Sequence, residues 1–140
     1  KAISIHGRTR AQMYKGNADW THIEKVKNNP RMHIPVFANG DINTPERAKH
    51  IRDKLGLDGA MIGRASIGNP WFFKHVKSFL NSNEEIQPPS IEERAMVAKR
   101  HLEMSVSWKG EKLRVYETRR HYSNYFKGIE NYTKNDSIHR

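Results

Sequence analysis

Short apolar runs separated by longer amphipathic stretches set the rhythm of this chain. Three runs, Ala2–Ile5, Pro35–Ala38 and Gly59–Ile62, are rich in β-branched or small residues and bounded by Gly, Pro or Asn. Buried parallel strands read this way, as continuous apolar segments rather than alternating ones. Between the first two runs, the spacing of Trp20, Ile23 and Val26 predicts a helix over about Trp20–Lys27. Between the second and third, Thr44 stands at a cap position and Pro45 at the first turn. Ala48, Ile51 and Leu55 then form an apolar stripe that Gly56 closes. Both crossovers are long enough to join parallel strands, so the first half is expected to fold β-α-β-α-β.

The second half changes character. Asn69 as cap and Pro70 as first residue predict a short helix reaching about Leu80. Asn81–Pro89 is polar, ends in two prolines and reads as a linker. Ser90-Ile91-Glu92-Glu93 is a capping box opening a helix to about Ser107, striped by Ala95, Ala98, Leu102 and Val106. Trp108-Lys109-Gly110 is expected to break it. A last helix spans about Glu111–Gly128 with a glycine stop, and the residues beyond read as frayed or truncated. The expected organisation is an α/β part over 1–80, a linker over 81–89 and an all-helical part over 90–140.

Composition narrows the classes. The 140 residues include no cysteine, which excludes a disulfide scaffold, a cysteine zinc site and a cysteine nucleophile within this chain. No apolar run approaches the roughly 18–20 residues of a membrane span. Hydrophobic residues make up 36% and mean hydropathy is −0.88, low for a free-standing globule. The chain opens directly into an apolar run without a methionine, and it reads as a piece of a longer protein. Lys and Arg number 25 against 15 Asp and Glu, a net charge of +10. The excess is spread along the chain, which favours a polyanionic partner such as nucleic acid over a merely basic surface.

Ligands of α/β folds bind at the C-terminal ends of parallel strands. The residues just past the three runs are His6-Gly7-Arg8, Asn39-Gly40-Asp41 and Gly63-Arg64. Singly, each could be an ordinary turn or a hydrogen-bonded edge residue. Jointly, three polar, glycine-containing stations on one edge of a sheet point to a phosphate-bearing ligand. Glycine permits close backbone approach, and the neighbouring N–H groups can cradle a phosphate.

Several motifs carry a resemblance. Ile5-His-Gly-Arg-Thr-Arg-Ala-Gln-Met-Tyr-Lys-Gly16 is followed by Ala18-Asp-Trp20, then by Val36-Phe-Ala-Asn-Gly-Asp-Ile42. Asp58-Gly-Ala-Met-Ile-Gly-Arg-Ala65 and Gly68-Asn-Pro-Trp71 come next, and Arg119-Arg-His-Tyr122 with Tyr125-Phe-Lys-Gly128 close the set. In motif, order and spacing these resemble the tRNA-dihydrouridine synthases, from Ile3 to about Ile129. The resemblance implies the C-terminal part of a (β/α)8 TIM barrel, contributing strands six to eight, followed by a helical domain that holds tRNA. It implies FMN contacts from His6, Asn39, Gly40, Asp41, Gly63 and Arg64, with Arg8 facing substrate or cofactor. The implied reaction is reduction of the uridine C5=C6 bond in tRNA, with NAD(P)H as reductant, in a cytoplasmic protein without a metal. That family's proton donor is a cysteine on an earlier segment, so no catalytic residue is expected in this chain, and the chain alone is expected to be inactive.

The last helix admits two readings. Val115, Tyr122 and Phe126 fall on one stripe, expected to be the packing face, with Arg119 in its midst. Arg120, Asn124 and Lys127 fall on another and could meet a phosphate backbone. An ordinary solvated face would look the same; the resemblance favours tRNA contact by Arg119, Arg120 and Lys127. Tyr122 and Tyr125 could stack on bases, although aromatics at helical spacing are more often core. Two other functions stay open: a different flavin or phosphate-binding barrel oxidoreductase, and a non-catalytic RNA-binding module.

Overall fold

A computed structural model describes residues 1–109 and 111–129. Among them are three strands, five α-helices and one short 3-10 turn. The order is β1 (Ile3–His6), α1 (Thr21–Lys27), β2 (Val36–Asn39), α2 (Pro45–Asp53), β3 (Gly59–Met61), α3 (Trp71–Ser82), α4 (Ile91–Lys109) and α5 (Glu111–Tyr125). The chain is thus α/β, with a parallel sheet of order β1-β2-β3. It divides into two compact units. The first comprises 1–66 with 72–86, the second 67–71 with the chain from 87 onward.

The first unit is built on the sheet. Register pairs Ile3, Ile5, Val36, Ala38 and Ala60 on one face, and Ser4, His6, Phe37, Asn39, Gly59 and Met61 on the other. Val36 and Ala38 are completely buried and join Ile23 of α1, Ala48 and Ile51 of α2, and Phe72 and Val76 of α3 in one core. All three helices therefore pack on the first face. The second face is left open, with Met61 exposed and Phe37 lying across Gly59. At α2, the Thr44 hydroxyl accepts the Arg47 N–H at 3.2 Å, the cap expected from sequence. The helix stops at Asp53 and not at Leu55. Gly56 turns at φ +65°, and the Leu57 N–H returns to the Ile51 carbonyl at 3.1 Å.

The strands sit one residue off their expected bounds. His6 and Asn39 are the last residues of β1 and β2, because parallel pairing continues through His6 and Asn39 after the apolar run has ended. α3 starts at Trp71, one residue after Pro70, and extends to Ser82, closing on Asn83 at φ +56°.

The second unit is a helical hairpin. Tyr122 Oη donates to the Ala98 carbonyl at 3.5 Å, and Arg94 Nη1 donates to the Lys127 carbonyl at 3.2 Å. Partner numbers fall on α5 as they rise on α4, so the two helices run antiparallel. Ser90 Oγ accepts the Glu93 N–H at 3.1 Å and starts α4 where the capping box placed it. The helix runs through Trp108 to Lys109, so Trp108 does not break it; Gly110 lies outside the described residues. Ala95 is exposed, and the inward face centres on Ala98. On α5 the expected packing face is corrected in part, since Tyr122 bonds to α4 and Phe126 is half-buried. Val115 is exposed, whereas Thr118 and Tyr125 are each only 3% exposed. α5 itself ends at Tyr125, three residues before Gly128, which turns at φ +81°. The expectation for the tail falls, from residue 130 on, outside the described residues.

Candidate functional site

The C-terminal ends of β1, β2 and β3 converge on one cavity of about 670 Å³ in the first unit. That volume falls in the range typical of small-molecule sites, roughly 300–1,000 Å³. All of the first-unit residues expected from sequence line it: His6, Arg8, Asn39, Gly40, Asp41, Gly63 and Arg64. Arg119, Arg120 and Lys127 belong to the second unit, where all three are exposed. The Arg119 guanidinium lies 5.5 Å from the centre of the Tyr116 ring.

Asp41 is the hub of the cavity. Its two carboxylate oxygens lie 2.7 and 2.8 Å from Arg8 Nη2, the Ala18 N–H donates to Oδ2 at 2.6 Å, and Arg64 Nη2 reaches Oδ1 at 3.3 Å. Its backbone carbonyl accepts from Arg47 Nη1 at 2.9 Å. Partial burial pushes the carboxyl pKa up, but the Ala18 N–H and the Arg8 guanidinium outweigh it, and the group titrates below the ordinary Asp value. The residue sits at φ +57°, directly after Gly40 at φ +108°.

Gly40 is a packing requirement. A Cβ there would lie 2.9 Å from His6 Cε1 and 3.0 Å from the Ala18 Cβ. His6 is oriented by the Arg8 N–H, which donates to Nδ1 at 3.1 Å, so in the neutral ring the proton sits on Nε2. At Gly63 a Cβ would meet nothing within 4 Å, so this chain's own packing does not demand glycine there. Any demand would come from what fills the space.

Two contributors carry no assigned role in the sequence reading, although Tyr14 belongs to the Ile5–Gly16 motif. Arg47, in the first turn of α2, adds a third guanidinium to the lining and reads in the sequence as an ordinary exposed helix residue. Tyr14, in the loop after β1, lies under Arg64 with 4.6 Å from guanidinium carbon to ring centre, and its place between Met13 and Lys15 gives no periodic signal. The lining as a whole carries three arginines against a single carboxylate. Such a surface attracts an anion. Among the described residues, no three His, Asp or Glu side chains gather as a metal site requires.

This fold and this site define an α/β protein with an arginine-rich cavity at the C-terminal ends of its parallel strands. The family model described as "Dihydrouridine synthase (Dus)" matches residues 1–137, and the chain belongs to that family. A protein of Rickettsia conorii named "Probable tRNA-dihydrouridine synthase" is 41% identical over 129 residues, covering 92% of this chain and 38% of that protein. "tRNA-dihydrouridine synthase B" of Pseudomonas putida is 37% identical over 125 residues, 89% of this chain and 36% of that protein. The Pasteurella multocida protein of the same name is 36% identical over 130 residues, 93% and 39% respectively. The chain spans a little under two fifths of the length of these relatives.

Proposed function

We propose that this chain works as part of an FMN-dependent tRNA-dihydrouridine synthase, as the closing portion of a (β/α)8 TIM barrel and the helical domain that follows it. The observation that carries the reading is the cavity at the strand ends, where Arg8, Arg47 and Arg64 gather around Asp41, its one carboxylate-bearing residue. The residues present suit a flavin mononucleotide. The lining is cationic, space is open at Gly63, and two guanidinium nitrogens of Arg8 are buried without a partner. Met61, Ile42 and Ala65 give the same cavity an apolar side.

In this reading Arg64, Gly63 and the Asn39–Asp41 turn hold the phosphate and ribityl end, and His6 stands nearer the ring with its Nε2–H. A bound flavin would supply the redox chemistry, hydride transfer from NAD(P)H to the uridine C5=C6 bond, and the proton that completes the reduction would come from a donor outside this chain. This chain's own residues bind, orient and neutralise charge. The target base must leave its stack to reach the pocket. In the second unit, Arg119, Arg120 and Lys127 offer donors to the tRNA backbone. No described helix is long and apolar enough to cross a membrane.

The test is to prepare the protein at the full length of its relatives, measure its flavin content, and supply NADPH and unmodified tRNA. Bound FMN and new dihydrouridine support the reading. A flavin-free protein that still binds RNA would favour the non-catalytic module.

A further inference from the structure

Asp41 has little left to offer a ligand. Its oxygens are taken by Arg8 at 2.7 and 2.8 Å, by the Ala18 N–H at 2.6 Å and by Arg64 at 3.3 Å. Nη2 of Arg8 is equally committed. The Arg8 side chain is only 5% exposed, and its Nη2 also donates to the Gly16 carbonyl at 2.7 Å. Its Nε and Nη1 are buried with no partner, so the guanidinium is held by one counter-charge. Such a pair is costly to break, because removing one partner strands the other charge.

The bonds either draw the loop after β1 onto the Asn39–Asp41 turn or close that loop on itself. Besides those made by Arg8 and Asp41, the Gly7 N–H donates to the Asn39 carbonyl at 2.9 Å and the Asp19 N–H to the Gly7 carbonyl at 2.6 Å. The Trp20 indole N–H donates to the Gly40 carbonyl at 2.9 Å. Residues 7–19 contain no helix or strand, and a loop of that length is seldom kept without a task. Here it brings Tyr14 and Asn17 to the cavity, and Tyr14 is the platform under Arg64.

We propose that Arg8 and Asp41 form a positioning pair, a clasp that closes loop 7–19 onto the Asn39–Asp41 turn and so sets Tyr14 and Arg64 as the cavity wall. The Asp41 carboxylate and Arg8 Nη2 are spent on this clasp, which leaves the backbone of the Asn39–Asp41 turn to the bound group. The clasp acts through Arg64, whose guanidinium is 57% exposed and is held by the Tyr14 ring and one Asp41 oxygen. What the wall receives rests on the flavin reading above; the clasp itself does not.

The test is a double-mutant cycle of Asp41→Asn and Arg8→Met in the full chain, with Arg64→Ala as a control. Two readouts are used: residue-resolved amide exchange and quenching of FMN fluorescence on titration. Asp41→Asn should raise exchange across residues 9–19 by about ten-fold or more, equivalent to roughly 1.4 kcal/mol of lost protection. Helices α1 and α2 should keep their protection, and Arg64→Ala should leave the loop unchanged. The double variant strands no charge, so it should be no looser than the worse single variant, even if a single variant fails to fold. FMN affinity should fall in step with loop opening. Unchanged loop exchange in Asp41→Asn, or additive losses in the double variant, would overturn the clasp. If the unaltered protein at the full length of its relatives leaves FMN fluorescence unchanged, the flavin reading fails, while the exchange data still decide the clasp.

Discussion

The backbone N–H of Gly68 donates to Nδ1 of His121 across 3.1 Å. The acceptor must be an unprotonated nitrogen, so this bond exists only while His121 is neutral and carries its proton on Nε2. Gly68 is buried at φ +61°, and a Cβ built there would run into the His121 carbonyl oxygen and lie 2.9 Å from the Tyr125 N. The pair therefore pins the segment around Gly68 to α5 within the second unit, beside the edge-on contact of Trp71 with Tyr125 at 5.9 Å. Burial, then the neighbouring charges of His101 and Arg120, hold the His121 pKa below its ordinary value.

A lowered imidazole pKa means that the unfolded chain takes up a proton first as pH falls. The stability His121 contributes is thus complete above the ordinary His value of 6.5 and is lost as pH drops through the lower folded value. His121→Ala should flatten this limb and, by leaving the buried Gly68 N–H unpaired, cost about 1–3 kcal/mol at neutral pH. Gly68→Ala should cost at least about 2 kcal/mol, from the left-handed backbone and the clash together. Urea unfolding at several pH values, read from the helical signal, checks both.

A second acid limb belongs to Asp41. Its pKa lies below the ordinary 3.8, because the Ala18 N–H and Arg8 outweigh its partial burial. The stability it provides is present above 3.8 and disappears as pH falls through the lower folded value. Asp41→Asn should lack that part of the limb and should be less stable near neutrality. Asp58 behaves alike for a different reason: Lys27 Nζ at 2.6 Å and the Val36 N–H at 2.8 Å hold its charge. Acid titration of Asp41→Asn and Asp58→Asn against the unaltered chain separates the two.

Much of the first unit can be read from apolar runs and caps. Val36–Ala38 is buried as its composition demands, and Thr44 caps α2. Strand ends escaped by one residue, because hydrogen-bonded pairing at His6 and Asn39 leaves no apolar trace. The clasp was invisible for a deeper reason. Arg8 and Asp41 are 33 residues apart, and each alone looks like a polar loop residue. On α5, Tyr122 of the expected stripe meets α4 and Phe126 is half-buried, but Val115 is exposed and the most buried positions lie beside that stripe. Thr118 is buried there although its hydroxyl hides it from an apolar count, and Tyr125 turns inward because His101 Nδ1 lies 3.1 Å from its hydroxyl.

The exposed cations of α5 and the turn after it should behave as sequence-independent phosphate contacts. Arg120→Ala and Lys127→Ala in the full-length protein should raise the KM for tRNA. Each should also lower the slope of log affinity against log salt by about 0.7–0.9. Tyr125→Phe should have no such effect, since Tyr125 is buried and bonded within the hairpin. Filter binding over a salt series provides the slopes.

The division of labour between cavity and helical hairpin is tested most directly by measuring bound flavin and tRNA affinity side by side in Arg64→Ala and Arg120→Ala of the full-length protein. A charge-assisted hydrogen bond is worth about 1.5–3 kcal/mol, so Arg64→Ala should weaken FMN retention by roughly 10- to 150-fold. It should leave the salt slope of tRNA binding unchanged. Arg120→Ala should keep its full flavin absorbance and bind tRNA less tightly. An Arg64→Ala protein that retains all its flavin, beside an Arg120→Ala protein that loses it, would contradict the account.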